Sequence, residues 1–226
     1  MAQTSSDQTP VYTGNLGGGF ALTGGNTETR NFNLTAAFLR DAKSRNVIKA
    51  NAAYLRGDQN DVLAVDRTAL SLRDEYTVSG RTFVFGQVEY LRDQFKQIIF
   101  LWAPTAGVGY KLLNSDSTEL ILDGGAGGVI EKNPGVNSST SGSLVTGQRF
   151  QQRLSSTATL RQSLSTIFKT SDFNDSLTNL AIGVVTTIVG NLELKLEFID
   201  SYKNKPPTLD IKKNDTAFVT AFVLKF

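Results

Sequence analysis

The sequence predicts an all-β chain folded as an antiparallel, up-and-down transmembrane β-barrel of about twelve strands. Three observations lead there. Residues 216–226 alternate strictly, with Phe218, Phe222, Leu224 and Phe226 on one face and Ala217, Val219, Ala221, Val223 and Lys225 on the other. A period of two marks a β-strand, and this one stops on an aromatic residue where soluble domains usually fray into polar ones. Runs of about ten alternating residues then recur between turn clusters along the whole chain. Finally, the apolar set of each run is matched by a polar or charged opposite face. A greasy exterior around a charged interior is inside out for a soluble barrel, because in water the Leu and Phe side chains would form the core.

The predicted strands lie near 12–23, 28–40, 46–57, 66–78, 82–93, 101–112, 118–131, 148–161, 164–171, 176–189, 192–202 and 215–226. Each is long enough for the ~9–11 residues that cross a bilayer obliquely. An even count puts both termini on one side, the periplasmic one. Short turns are expected near 41–44, 79–80, 114–117, 162–163 and 190–191. Longer connections are expected at 24–27, 57–65, 94–100, 133–147, 172–175 and 203–214. Alternation is weakest over 148–171. Outward sets include Leu16, Phe20 and Leu22, then Phe32, Leu34 and Phe38, then Leu192, Leu194, Leu196 and Phe198. Asp74 and Asp200 fall on the outward parity, so either they sit near a rim or a β-bulge shifts the register. Phe83 and Phe85 fall on the inward parity and raise the same question.

Composition excludes much chemistry. The chain has 226 residues, a net charge of +2, no cysteine and no histidine. Disulfides, thiolate metal clusters, His-ligated zinc, imidazole acid/base steps and Ser-His-Asp hydrolysis all need the missing residues. The reading is therefore no enzyme, no cofactor and no metal, and the near-neutral charge argues against a nucleic-acid partner. No apolar run approaches the ~20 residues of a membrane helix. The mean hydropathy of −0.15 does not oppose a membrane barrel, in which only alternate residues face lipid. Residues 1–10 read as a flexible periplasmic N-terminal extension, and 11–226 as the barrel domain. The start resembles a mature terminus at Ala2 or Gln3 behind an added initiator Met, which predicts a secreted protein whose signal peptide is absent here.

Glycines at 17–19, 24–25 and 124–128 are not followed by the Lys-Ser/Thr of a nucleotide loop, so they read as strand curvature and close packing. The inward parity gathers Lys49, Arg73, Glu75, Glu89, Lys111, Glu119, Asp123, Arg153, Lys169, Glu193, Lys195, Glu197 and Lys225 as candidate lumen-lining residues. Mixed signs can pair across a lumen and plug it, or line a narrow wet pore that filters solutes. Phe218, Phe222, Leu224 and Phe226 form the candidate assembly signal for the barrel-assembly machinery. The 97–102 patch, with the sole Trp102, is expected to be an aromatic anchor at the outer interface, with a contact surface for protein or lipid as the alternative.

Several segments resemble a known family. Gly25-Asn26-Thr27-Glu28-Thr29-Arg30-Asn31-Phe32-Asn33-Leu34 is similar to the opening hairpin of the bacterial family called domain of unknown function 481. Its members go under the description of salt-induced outer-membrane proteins. Phe85-Gly86-Gln87-Val88-Glu89-Tyr90-Leu91-Arg92-Asp93-Gln94-Phe95, Gly107-Val108-Gly109-Tyr110-Lys111-Leu112-Leu113, the 192–207 segment and the terminal strand continue the resemblance in order, whereas 133–176 matches poorly. The resemblance implies a Gram-negative outer-membrane barrel without an agreed substrate. The expected function is a small passive, porin-like pore or a salt- and osmotic-stress-related envelope barrel, with outer-membrane lipid as its surroundings. The alternatives are a plugged barrel that binds an unidentified envelope partner through its loops, and a soluble lipocalin-like binder.

Overall fold

The computed structural model of the protein describes residues 12–24, 29–41, 45–59, 62–94, 96–208 and 210–226. The predicted 1–10 extension lies outside them. Alternation produces twelve strands among the described residues. The first six are β1 (Tyr12–Gly24), β2 (Thr29–Asp41), β3 (Asn46–Gln59), β4 (Val62–Thr77), β5 (Thr82–Asp93) and β6 (Ile98–Asn114). The other six are β7 (Thr118–Lys132), β8 (Ser139–Arg153), β9 (Ala158–Lys169), β10 (Asp172–Val189), β11 (Leu192–Lys203) and β12 (Asn214–Lys225). Each pairs antiparallel with its neighbours in sequence, and β12 returns to β1, so the sheet closes and no edge is left.

Closure is set by the last strand. Asn15 to Gly24 run in unbroken register against Lys225 to Thr216, and Phe226 adds two backbone bonds to Gly14, N–H to O at 3.0 and 2.9 Å. Gly19 is needed on this seam because a Cβ there would meet the Thr220 carbonyl oxygen at 1.8 Å. The glycines thus serve close strand approach, with no phosphate cradle.

Both described termini, Arg45 and the connections 78–81, 115–117, 154–157 and 190–191 lie at one end, called here the turn end, while 42–44 lie outside the described residues. The opposite, loop end carries 133–138, 170–171 and the described residues of the β5–β6 and β11–β12 connections, while 25–28 and 60–61 lie outside the described residues. The expected contrast in length survives mainly at 133–138 and 204–213. Elsewhere the strands run on past the membrane-crossing core, and this shortens the 57–65, 94–100 and 172–175 connections.

One stretch departs from the sequence reading. Residues 139–147 belong to β8, the β8–β9 turn is 154–157, and Gln162 and Ser163 sit mid-strand opposite Phe150 and Arg149. The strands expected at 148–161 and 164–171 are thus 139–153 and 158–169. Ser139-Thr140-Ser141-Gly142-Ser143 looks like a loop by composition, yet its backbone is fully laddered to β7, and Ser143 is buried facing inward. Neighbouring strands supply the order that side-chain pattern lacks.

The wall is apolar outside. Leu16, Phe20, Leu72, Phe218, Phe222 and Leu224 are all exposed, Phe20 at 77%. Such a continuous apolar band is a lipid-facing surface, and it removes the basis for a soluble lipocalin-like barrel. Asp74 and Asp200 do point outward. The registers of β3 with β4 and of β10 with β11 are unbroken around them, so no bulge is involved. Asp74 lies three residues from the turn end of β4 and accepts a hydrogen bond from the Asn46 amide, whereas Asp200 lies three residues from the loop end of β11. Phe83 and Phe85 point inward and are buried with Ile121. The 97–102 segment divides between the two faces. Ile98 and Leu101 join an inner cluster with Leu91, Ala103, Val129, Val145, Ile167 and Leu177, while Ile99 and Trp102 face outward. Trp102 packs on Tyr90 with ring centroids 4.9 Å apart.

Candidate functional site: a charged lumen

Because side chains alternate across a wall of tilted strands, one row of directly opposed residues on consecutive strands winds along the lumen from the turn end towards the loop end. From β7 to β12 one such row reads Glu119, Gln151, Arg161, Gly183, Glu197 and Val219. The rows above and below carry further charges, and these gather into two layers.

The layer nearer the turn end is built on β3, β4, β7 and β8. Glu75 accepts from Lys49 Nζ at 2.7 Å, Arg73 Nε at 2.7 Å and Arg149 Nη2 at 2.8 Å. Asp123 accepts from Arg73 Nη2 at 2.8 Å and Arg149 Nη2 at 3.2 Å. Three cations therefore share two carboxylates. The Arg73 guanidinium lies 3.7 Å from the centroid of the Phe85 ring, which explains aromatic residues on the inward parity. Gly109 leaves room for the other ring, since a Cβ there would fall 2.1 Å from Phe83 Cζ.

The layer nearer the loop end joins more distant strands. Glu131 on β7 accepts from Lys203 on β11 at 2.9 Å and from Lys169 on β9 at 2.7 Å. Asp175 on β10 takes part in the same network through both lysines. Lys96, from the 94–97 turn, donates to Asp215 on β12 at 2.9 Å, and Arg67 on β4 reaches Asp93 on β5 at 3.4 Å. Lys96, Asp93 and Glu131 are 0–1% exposed, so their charges depend on these partners. Beyond the strands, Lys205 pairs with Asp172 at 2.7 Å, and that hydrogen bond holds its ammonium charged to a higher pH than an ordinary lysine.

Beside the turn-end layer lies a cavity of about 820 Å³. Its charged lining is Lys49, Arg67, Glu89, Glu119, Arg149, Arg161, Glu193, Lys195 and Glu197. Asn51, Gln151, Arg161 and Ser163 are exposed within it, which marks a wet interior. Towards the loop end it meets Leu91, Leu101, Ile167 and Leu177 of the inner apolar cluster.

Among the thirteen candidates from sequence, Lys49, Arg73, Glu75 and Asp123 meet in one network. Lys169 joins the loop-end network, whereas Lys195–Glu197 and Lys225–Glu193 form separate pairs at 2.8 and 2.7 Å. Glu89 accepts from the Gln87 amide at 2.6 Å. Glu119 lines the cavity, Lys111 is half-buried on the inward parity of β6, and Arg153 is exposed at the end of β8. Sequence reasoning missed Arg67, Asp93, Lys96, Glu131, Arg149, Arg161, Asp175, Lys203 and Asp215. Arg161 shares the parity of Arg153 within the expected 148–161 strand, and Lys203 that of Lys195, so extending each alternation would have found both. Arg149 shares the parity of Arg153 within the expected 148–161 strand and was legible in the same way, whereas Lys96 lies in a turn where parity has no meaning.

Residues 17–226 match the family described as Protein of unknown function, DUF481. The chain belongs to that family. The match runs through 133–176, where the resemblance in sequence is weak to the eye. No curated protein matches this DUF481 chain. Among solved structures it is similar to the NanC porin, with a TM-score of 0.62 at 6% identity, covering 93% of this chain and 100% of that one. It is also similar to the translocator domain of the autotransporter NalP from Neisseria meningitidis (TM-score 0.57, 12% identity, 98% and 90% covered). A third is the COG4313 outer membrane channel from Pseudomonas putida F1 (TM-score 0.56, 10% identity, 100% of both chains covered). At such identities the likeness is one of fold, and the fold of this DUF481 member is that of an outer-membrane β-barrel.

Proposed function

We propose that this DUF481 member is a narrow passive pore of the bacterial outer membrane, with the turn end in the periplasm. The observation that carries this reading is the wet cavity of about 820 Å³ inside a closed wall, lined by charges of both signs. Rings of such charge filter small solutes without binding them tightly. The NanC and KdgM porins and the COG4313 channel share the barrel plan, which supports the reading by analogy of fold. The chemistry of the lumen is solvation and charge pairing, and no enzymatic step is part of the reading. The barrel-assembly machinery is the partner proposed for the closing strand.

A second reading has its own observation. Ion pairs join β4 to β8 and β7 to β11, so they cross the lumen. A barrel held shut by them would work through its loops on an envelope partner. Liposome swelling with neutral solutes of graded size separates the two. The pore reading expects glycerol to enter proteoliposomes several-fold faster than protein-free ones, with a sharp fall for trisaccharides. Equal rates for all solutes, from a barrel shown folded by heat-modifiable gel mobility, would favour the closed reading.

A further inference from the structure

We infer that the loop-end half of the lumen is a dry apolar septum that admits small uncharged solutes and holds back ions. This rests on the pore reading and adds the solute class to it. Inward side chains change character along the barrel. Towards the turn end, Asn51, Gln151, Arg161 and Ser163 are exposed around the cavity. Towards the loop end, the inner apolar cluster draws on six consecutive strands, β5 to β10, and each member is at most 7% exposed. Leu91, Leu101, Ile167 and Leu177 belong to both regions, as the floor of the cavity and the face of the cluster. The wet space therefore ends on an apolar layer.

Register explains how this layer is built. Leu91 opposes Leu101, and Leu101 opposes Glu131, in one row. Val145, Ile167 and Leu177 oppose one another in a second row, which ends on Lys203. Glu131 and Lys203 meet at 2.9 Å, so the two rows are tied together at their charged ends. The four cations and four carboxylates of the loop-end layer pair with one another, which leaves no excess sign there among the described residues. An ion entering the septum would lose its hydration and find no counter-charge in return. That cost far exceeds the loss of hydrogen bonds by a few hydroxyl groups. Apolar constrictions in channels work in this way, by excluding water. An uncharged solute with a carbon face also gains contact with the Leu and Ile side chains.

The test compares glycerol with its acid, glycerate, in the swelling of proteoliposomes holding the full refolded chain, and adds single-channel recording in planar bilayers. Heat-modifiable mobility shows that each chain is folded. Wild type is expected to admit glycerol several-fold faster than glycerate, a solute of nearly the same size. Leu101→Asn keeps the branched shape of the side chain but wets the layer. It is expected to raise unit conductance several-fold and to narrow the gap between glycerol and glycerate. Leu101→Ala widens the layer without wetting it and is expected to raise conductance less. If Leu101→Asn does not fold, Leu177→Asn on β10 is read in its place. Equal entry of glycerol and glycerate through the wild type would overturn the septum and leave the pore intact. So would an unchanged conductance in a folded Asn variant, or a rise from Leu101→Ala as large as that from the Asn variant. A folded wild type closed to both solutes would overturn the pore reading, and the solute class with it.

Discussion

Replacing Glu75 by Gln is expected to destabilise the barrel by about 3 kcal/mol. Three cations, Lys49, Arg73 and Arg149, converge on this carboxylate, and only Asp123 remains to neutralise Arg73 and Arg149 if it is lost. The usual cost of breaking a buried pair is ~3–5 kcal/mol, and the low end applies because Lys49 and Arg149 retain contact with lumen water. The readout is the midpoint of urea unfolding, which should fall with an unchanged slope. Removing Arg149 as well (Glu75→Gln with Arg149→Gln) should cost less than the sum of the single changes, because the excess positive charge goes with it. Additive losses would mean that the two residues stabilise the barrel independently.

Deleting Phe226 is expected to reduce folded barrel in the outer membrane several-fold. The residue does two things at the seam. Its backbone closes β12 on β1 through both bonds to Gly14, and its ring lies over Gly14, where a Cβ would come 2.5 Å from Phe226 Cε2. The two bonds alone stabilise the seam by roughly 1–3 kcal/mol. Phe218, Phe222 and Leu224 face outward in the same strand, the regular apolar face that we propose the assembly machinery reads. The assay is the heat-modifiable, surface-exposed fraction of the truncated chain compared with wild type. Equal fractions would remove Phe226 from any part in assembly.

The barrel was legible in the sequence wherever lipid and lumen impose opposite chemistry on alternate residues. β1 to β4 and β10 to β12 alternate apolar with polar or small side chains, so strand, face and count followed from a period of two. β8 and β9 were misplaced because their loop-end halves are rich in Ser, Thr and Gly, residues that either face can accept. Gln162-Ser163 resembles a turn, but the ladder with β8 and β10 fixes it as strand. The functional layout was less accessible. Parity tells which charges point inward, but it cannot tell that Glu131 meets Lys203, or that Lys96 reaches Asp215, since these depend on closure of the ring. Phe83 and Phe85 looked anomalous on the inward face until the Arg73 guanidinium above Phe85 was in view.

The most direct test of a narrow, charge-crossed pore is the unit conductance of the wild-type chain in a planar lipid bilayer. Small, discrete and reproducible steps, well below those of a barrel with an empty lumen, are the result this account predicts. A stable barrel that passes no current at any applied voltage would contradict it, and so would a large, unrestricted conductance.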